Sequence, residues 1–106
     1  MTSDGAGIRW DAIQLDATDN VATVYRPLAA GVQPNVAGAD VVPPVLTDPI
    51  ARGHKFALSP ISVGETVYKY GAPIGVATAD IEAGRHVHLH NIEGFAGQDA
   101  RRDSVQ

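Results

Sequence analysis

The chain contains no cysteine. That excludes disulfides, thiolate metal sites and thiol catalysis in one step. Aromatic residues are scarce, with one Trp, three Tyr and two Phe in 106 residues. The core must therefore be assembled from Val, Ile, Leu and Ala. There is no excess of positive charge: the formal net charge is -4 with histidines neutral. Nucleic-acid binding, which needs a basic stripe against phosphate, is not expected. No run approaches the roughly 20 apolar residues of a membrane span, and Met1 to Gly7 lacks the cationic and apolar run of a secretory signal. These absences lead us to expect a cytoplasmic protein with neither membrane nor nucleic-acid partner.

What is present is enough for one small domain. Hydrophobic residues make up 44%, which permits a core. A domain of this size buries roughly 60–70% of its unfolded surface, so the core is thin and a partner surface would help it. The first seven residues and the tail 96–106 are poor in apolar anchors and are expected to be disordered. The folded part is placed at residues 8–95. Val21–Tyr25, Phe56–Leu58 and Thr66–Tyr70 read as short strands. Seven prolines and eleven glycines interrupt the chain at close intervals, and the one weak helical periodicity runs from Ile8 to Leu15. The expected fold class is all-β, compact, with tight turns and no long helix.

One internal repeat stands out. Pro27-Leu28-Ala29-Ala30-Gly31, Pro49-Ile50-Ala51-Arg52-Gly53, Pro60-Ile61-Ser62-Val63-Gly64 and Asp80-Ile81-Glu82-Ala83-Gly84 share the form Pro/Asp, Ile/Leu, two variable residues, Gly. Proline or aspartate opens a turn, the aliphatic residue tucks inward, and glycine takes a positive φ. Strand-like segments follow three of the four: His54–Leu58, Glu65–Tyr70 and Arg85–His90. Chance recurrence is the competing explanation in a chain so rich in Gly and Pro.

Chemistry concentrates in two places. His86, His88 and His90 alternate along Arg85–Asn91. On a strand they would share one face, with Val87 and Leu89 turned to the core. Such a face can bind a divalent metal, contact a substrate or partner, or simply be solvated. Neighbours on it stand about 6.5–7 Å apart, so two can chelate one ion and three on a straight strand rarely do. Arg52-Gly53-His54-Lys55 sets cations and an imidazole just after a turn, a grouping suited to a carboxylate-bearing anion or to ordinary surface charge. Lys69-Tyr70-Gly71-Ala72-Pro73-Ile74-Gly75 lacks the helix that a phosphate loop requires and reads as a structural turn.

The run Arg52-Gly53-His54-Lys55, then Lys69-Tyr70-Gly71, then Gly84-Arg85-His86-Val87-His88-Leu89-His90-Asn91 resembles the SAF domain of the altronate/galactarate dehydratase family. The small subunit of sulfolactate sulfo-lyase is similar. The resemblance spans about Asp19 to Asn91, and Gly31–Leu46 does not align with it. It implies a β-clip fold and elimination of water, or of sulfite, from a polyhydroxy or sulfonated acid. It implies a divalent metal, iron before manganese or zinc, and a large catalytic subunit that this domain assists. On that basis His54 and Lys55 are expected to be catalytic, Arg52, Lys69 and Asn91 to contact substrate, and His86, His88 and His90 to hold the metal. The alternatives are the sulfo-lyase subunit and a non-catalytic binding or assembly module, with homo-oligomerisation left open. A domain this small is not expected to be active alone.

Overall fold

A computed structural model describes residues 9–39 and 41–95. The expected disorder of residues 1–7 and 96–106 concerns segments outside the described residues. Among the described residues there are eight short strands: β1 Ala12–Ile13, β2 Val21–Val24, β3 Val36–Ala37, β4 Lys55–Ala57, β5 Thr66–Lys69, β6 Ala72–Ala77, β7 His86–Val87 and β8 Ile92–Gly94. Five form one sheet in the order β3-β1-β2-β4-β7, and β5-β6-β8 form a second. The expected all-β class holds. The weak helical periodicity near Leu15 is overruled: Ala12–Ile13 pairs with β2 on one side and β3 on the other. Lys69–Gly75 is a hairpin rather than a turn alone. Tyr70 and Gly71 both have positive φ, 56° and 79°, the pattern of a type I′ turn, and β6 returns from it.

The repeat is structural at all four copies. Leu28 and Ile50 exchange backbone hydrogen bonds at 2.9 and 2.8 Å, and Ile61 and Ile81 do so at 2.8 and 2.7 Å. All four anchors are buried. After each anchor the residue following glycine donates back across the turn: Val32 to Ala29, His54 to Ala51, Glu65 to Ser62, Arg85 to Glu82. The glycine is the third turn residue and has φ between 79° and 90°, as a type II turn requires.

Two small cores lie on either side of β2 and β4. Ala22, Val24, Leu28, Ile50, Phe56 and Leu58 belong to the first, and Val21, Ala57, Ile61, Val67, Ile81 and Val87 to the second. The alternation follows from the pleat, which sends successive side chains to opposite faces. Buried Asp19 joins the second sheet to the first. Its carboxylate accepts the amides of Tyr70 at 2.9 Å and Gly71 at 2.8 Å, and so holds the hairpin tip.

The repeat glycines differ in their surroundings. A methyl group at Gly64 would meet open space, whereas at Gly84 it would run into the Val45 carbonyl and the Leu46 backbone. Gly64→Ala is therefore expected to cost about 1–2 kcal/mol, the φ penalty alone. Gly84→Ala should cost clearly more, read as the difference in urea midpoints. Equal losses would contradict this account of the second turn pair.

Candidate functional site

The site forms where two repeat turns launch strands that meet. His54 follows Gly53 directly. Its amide closes the turn onto Ala51 at 2.9 Å, and its carbonyl accepts from Val24 at 2.9 Å. The chain then enters β4, which pairs with β7 in the register Lys55↔Val87 and Phe56↔His86. Carried one step further, that register sets His54 opposite His88. The rings obey it: His54 and His88 stack with centroids 4.4 Å apart, His54 and His86 lie 5.1 Å apart, and His86 and His88 5.4 Å. The Nδ1 of His54 is 2.9 Å from the Nε2 of His86. One ring nitrogen from each of the three lies within 4.8 Å of the other two.

The histidine run is not one straight strand, which corrects the expectation for Arg85–His90. β7 stops at Val87, and the chain turns. Asn91 enforces the turn: its Oδ1 accepts the His88 amide at 2.9 Å, its Nδ2 donates to the His86 carbonyl at 2.9 Å, and its own amide donates to the His88 carbonyl at 3.0 Å. Val87 is fully buried, as expected, but Leu89 is 80% exposed instead of facing the core. His90 is carried to the outer side of His86, with centroids 5.3 Å apart and rings tilted by 33°. The three imidazoles that converge are thus His54, His86 and His88, with His90 beside them.

The remaining expected site residues separate. Phe56 belongs to the first core while Ala57 and Val87 belong to the second. The pleat therefore sends Lys55 to the face opposite His54, alongside Thr23 and Val87. Burial, and then the charge of Lys69, lower the Lys55 pKa, so these two cations share that face's surroundings. Thr23, beside Lys55 in register, has a buried hydroxyl without a partner among the described residues. The Lys69 ammonium lies 5.0 Å from the Tyr70 ring centroid. Arg52 is exposed at its turn corner. Asn91 has its amide committed to the His88 turn.

Asp48 was not anticipated. Its Oδ2 accepts the His86 amide at 3.0 Å. The signal was available, since Asp48 immediately precedes a repeat proline. His86 has its pKa lowered by burial and then by the neighbouring His54, His90 and His88, with Asp48 opposing. His88 is lowered by burial, then by His54, Lys55 and His90. Both rings therefore take up a proton less readily than an ordinary imidazole.

The altronate/galactarate dehydratase SAF domain matches residues 10–94. The chain is 51% identical to the altronate dehydratase of Escherichia coli (strain K12) over 79 residues, which is 74% of this chain and 15% of that protein. The altronate dehydratase of Bacillus subtilis (strain 168) is 38% identical over the same shares of both chains. The (2R)-sulfolactate sulfo-lyase subunit alpha of Paracoccus pantotrophus is 51% identical over 42 residues, 40% of this chain and 63% of that subunit. The chain thus spans about 15% of the length of the dehydratases it matches.

Crowding of imidazoles gives the fold a pH dependence. His86 and His88 are held below the ordinary 6.5, so the unfolded chain takes up those protons first. Stability is complete above the unfolded value and declines as pH falls from 6.5 toward the lowered folded values. In chelated buffer the urea midpoint should fall between about pH 7.5 and 5.5, and fall less in His86→Gln. Identical slopes in the two proteins would show that the cluster does not carry the effect.

Proposed function

The chain belongs to the altronate/galactarate dehydratase SAF-domain family, and from that premise we propose that it is the accessory domain of a carbohydrate-acid dehydratase. In this reading it brings His54, His86 and His88 to a site that a larger catalytic part completes. That part is either a separate large subunit or the remainder of a longer polypeptide, and the cytoplasm is its compartment. The observation that carries the reading is the convergence of three half-buried imidazoles from two segments more than thirty residues apart in sequence.

Elimination of water from a hydroxy acid takes a proton from the carbon beside the carboxylate and expels a hydroxyl from the next carbon. It needs a base, an acid and positive charge near the carboxylate. His54, oriented by its contact with His86, is the proton-transfer group while no ion sits on it, because a ligated imidazole has no lone pair left for a proton. Lys55 and Lys69 supply positive charge from the opposite strand face. The donor set also suits a divalent metal. Three imidazoles with nitrogens within 4.8 Å of one another would turn out of their near-parallel stack to reach about 2.0–2.1 Å from one ion, and iron, zinc and manganese all accept such ligands. When bound, such an ion polarises the carboxylate or the departing hydroxyl. His86 and His88 would hold it with His54, while His90 stands outside the three. A second reading, the small subunit of a sulfo-lyase expelling sulfite, draws support from the similarity to the Paracoccus pantotrophus subunit.

Calorimetry with Zn²⁺, Mn²⁺ and anaerobic Fe²⁺ tests the donor set. His54→Ala, His86→Ala and His88→Ala should each weaken binding at least about tenfold, and His90→Ala should leave it within a factor of about three. Absence of binding by the unaltered chain would remove the metal from the proposal. For the function, this chain can replace its counterpart segment in the Escherichia coli altronate dehydratase. The chimera should dehydrate altronate, and His54→Ala should lower kcat at least about a hundredfold. An active chimera indifferent to His54 would overturn the catalytic assignment.

A further inference from the structure

The strand face opposite the imidazoles carries two lysines and a buried hydroxyl. The pairing register sets Ile13, Thr23, Lys55 and Val87 in one row across β1, β2, β4 and β7. Cross-strand neighbours in a row share a face, so Thr23 stands directly beside Lys55. Val87, at the end of the row, is fully buried. Lys69 comes to these surroundings from β5, and its charge acts on Lys55. The backbone on either side of Lys69 is tied to the start of β2. Asn20 accepts the Tyr68 amide at 2.8 Å, and Asp19 accepts the Tyr70 amide at 2.9 Å. Lys55 and Lys69 are both half-buried.

Three groups there lack a counterpart among the described residues. The Thr23 hydroxyl is shut off from solvent and has no hydrogen-bond partner, an arrangement that folded proteins seldom leave unmet. The ion pairs join Arg26 to Asp11 and Arg85 to Asp48, and neither takes in Lys55 or Lys69. The carboxylates before β2 are engaged elsewhere: Asp19 holds the hairpin amides, and Asp16 holds the amide and hydroxyl of Thr18. The Lys69 ammonium lies 5.0 Å from the Tyr70 ring centroid, a contact weaker than a paired anion supplies. Two like charges kept together without a counter-charge repel each other. Burial, and then the charge of Lys69, accordingly lower the Lys55 pKa.

We propose that Thr23, Lys55 and Lys69 form a binding site for a dianionic phosphate group. The match is one of charge and of oxygen count. Two ammonium groups are offset by two negative charges, whereas a monoanion leaves one cation unmatched. Three donors arriving from three strands call for three acceptor oxygens, which a tetrahedral phosphate has and a carboxylate does not. Lysine takes phosphate as a point charge, and the Thr23 hydroxyl gains an oxygen to donate to. The flexible four-carbon stem of Lys55, its neighbour in the row, can swing to admit an ion to it. The site lies behind the strand that carries His54, so it is additional to the proposed function. Its occupant offsets the positive charge by which Lys55 acts on His88.

The test titrates the ¹⁵N-labelled, metal-free chain with sodium phosphate at about pH 7.5, where a phosphate group is largely dianionic. Sodium chloride holds the ionic strength constant, so screening does not change. Glycerol 2-phosphate runs beside it, and sodium acetate and sodium methanesulfonate serve as monoanion controls. Phosphate or its ester should give saturable shifts confined to the amides of residues 22–24, 54–56 and 68–70, with a Kd in roughly the millimolar range. The tighter of the two identifies the free ion or a phosphorylated metabolite as the source. Acetate and methanesulfonate should bind at least about tenfold more weakly. Lys55→Gln and Lys69→Gln should each weaken phosphate by at least about fivefold. Thr23→Val should weaken it by at least about threefold without lowering the urea midpoint, since it removes an unpaired buried hydroxyl. Retained spectral dispersion shows that each variant is folded. Shifts that fail to saturate, that methanesulfonate reproduces, that survive both lysine variants, or that centre on Arg52 and residues 86–90 would overturn the proposal. None of these readouts involves dehydration. An inactive chimera therefore leaves this site standing, and a chain blind to phosphate leaves the proposed function standing.

Discussion

Everything that makes this domain chemically interesting depends on the pairing of β4 with β7. Two residue pairs, Lys55↔Val87 and Phe56↔His86, fix the register. A slip of one residue would turn every side chain of β7 to the opposite face. It would put Val87 opposite Phe56 and send His86 and His88 into the second core. The register is therefore held by burial. Phe56 and Val87 are each fully buried, in different cores, and one slipped residue would expose one and strand the other. The imidazole cluster is a by-product of that packing constraint, placed at the end of the ladder where burial relaxes.

The turns serve the same end. A strand of two or three residues contributes little pairing of its own, and a two-stranded element is marginal in water. Here the short strands are held at their beginnings. Each of β4, β5 and β7 follows a type II turn whose aliphatic anchor is bridged to another anchor. The anchors Leu28 and Ile50 sit in one core, and Ile61 and Ile81 in the other. Placing His54 at the last position of one such turn, and His86 one residue beyond another, positions both from rigid backbone. Asp48 and Asn91 add side-chain bonds to the amides of His86 and His88. No long side-chain lever separates the imidazoles from the parts of the chain that are fixed.

Much of this was legible in the sequence, and the division has physical reasons. The repeat could be read because a type II turn needs positive φ at its third residue, and glycine marks that place in all four copies. The three strands at Val21, Phe56 and Thr66 could be read from β-branched and aromatic content. Two things were hidden. The end of β7 at Val87 is set by the Asn91 side chain bonding back to His86 and His88, and asparagine at that spacing is common without such a turn. Hence Leu89 was expected inward and is exposed. Register was hidden as well. Alternation says that His86 and His88 share a face, but nothing local says that residue 54 lies across from 88. That follows only from the fit of Phe56 and Val87 into their cores. The same fit divides Arg52-Gly53-His54-Lys55, which reads as one cationic group along the chain and becomes two faces in space.

The separation of His54 from Lys55 bears on how such a site can work. Were all the cations on the imidazole face, their charge would compete directly with a metal ion and with protonation of the rings. With Lys55 and Lys69 behind the strand, positive potential reaches the site through about one strand's thickness. After burial and His54, Lys55 adds to the lowering of the His88 pKa without standing among the rings. His90 leads on to the fourth repeat turn, whose Asp80, Ile81 and Glu82 line a cavity with it. His54 and Arg85 hold the same place in the second and fourth turns, each donating its amide back across a repeat glycine, so the β4–β7 register sets the spacing between the two turn ends.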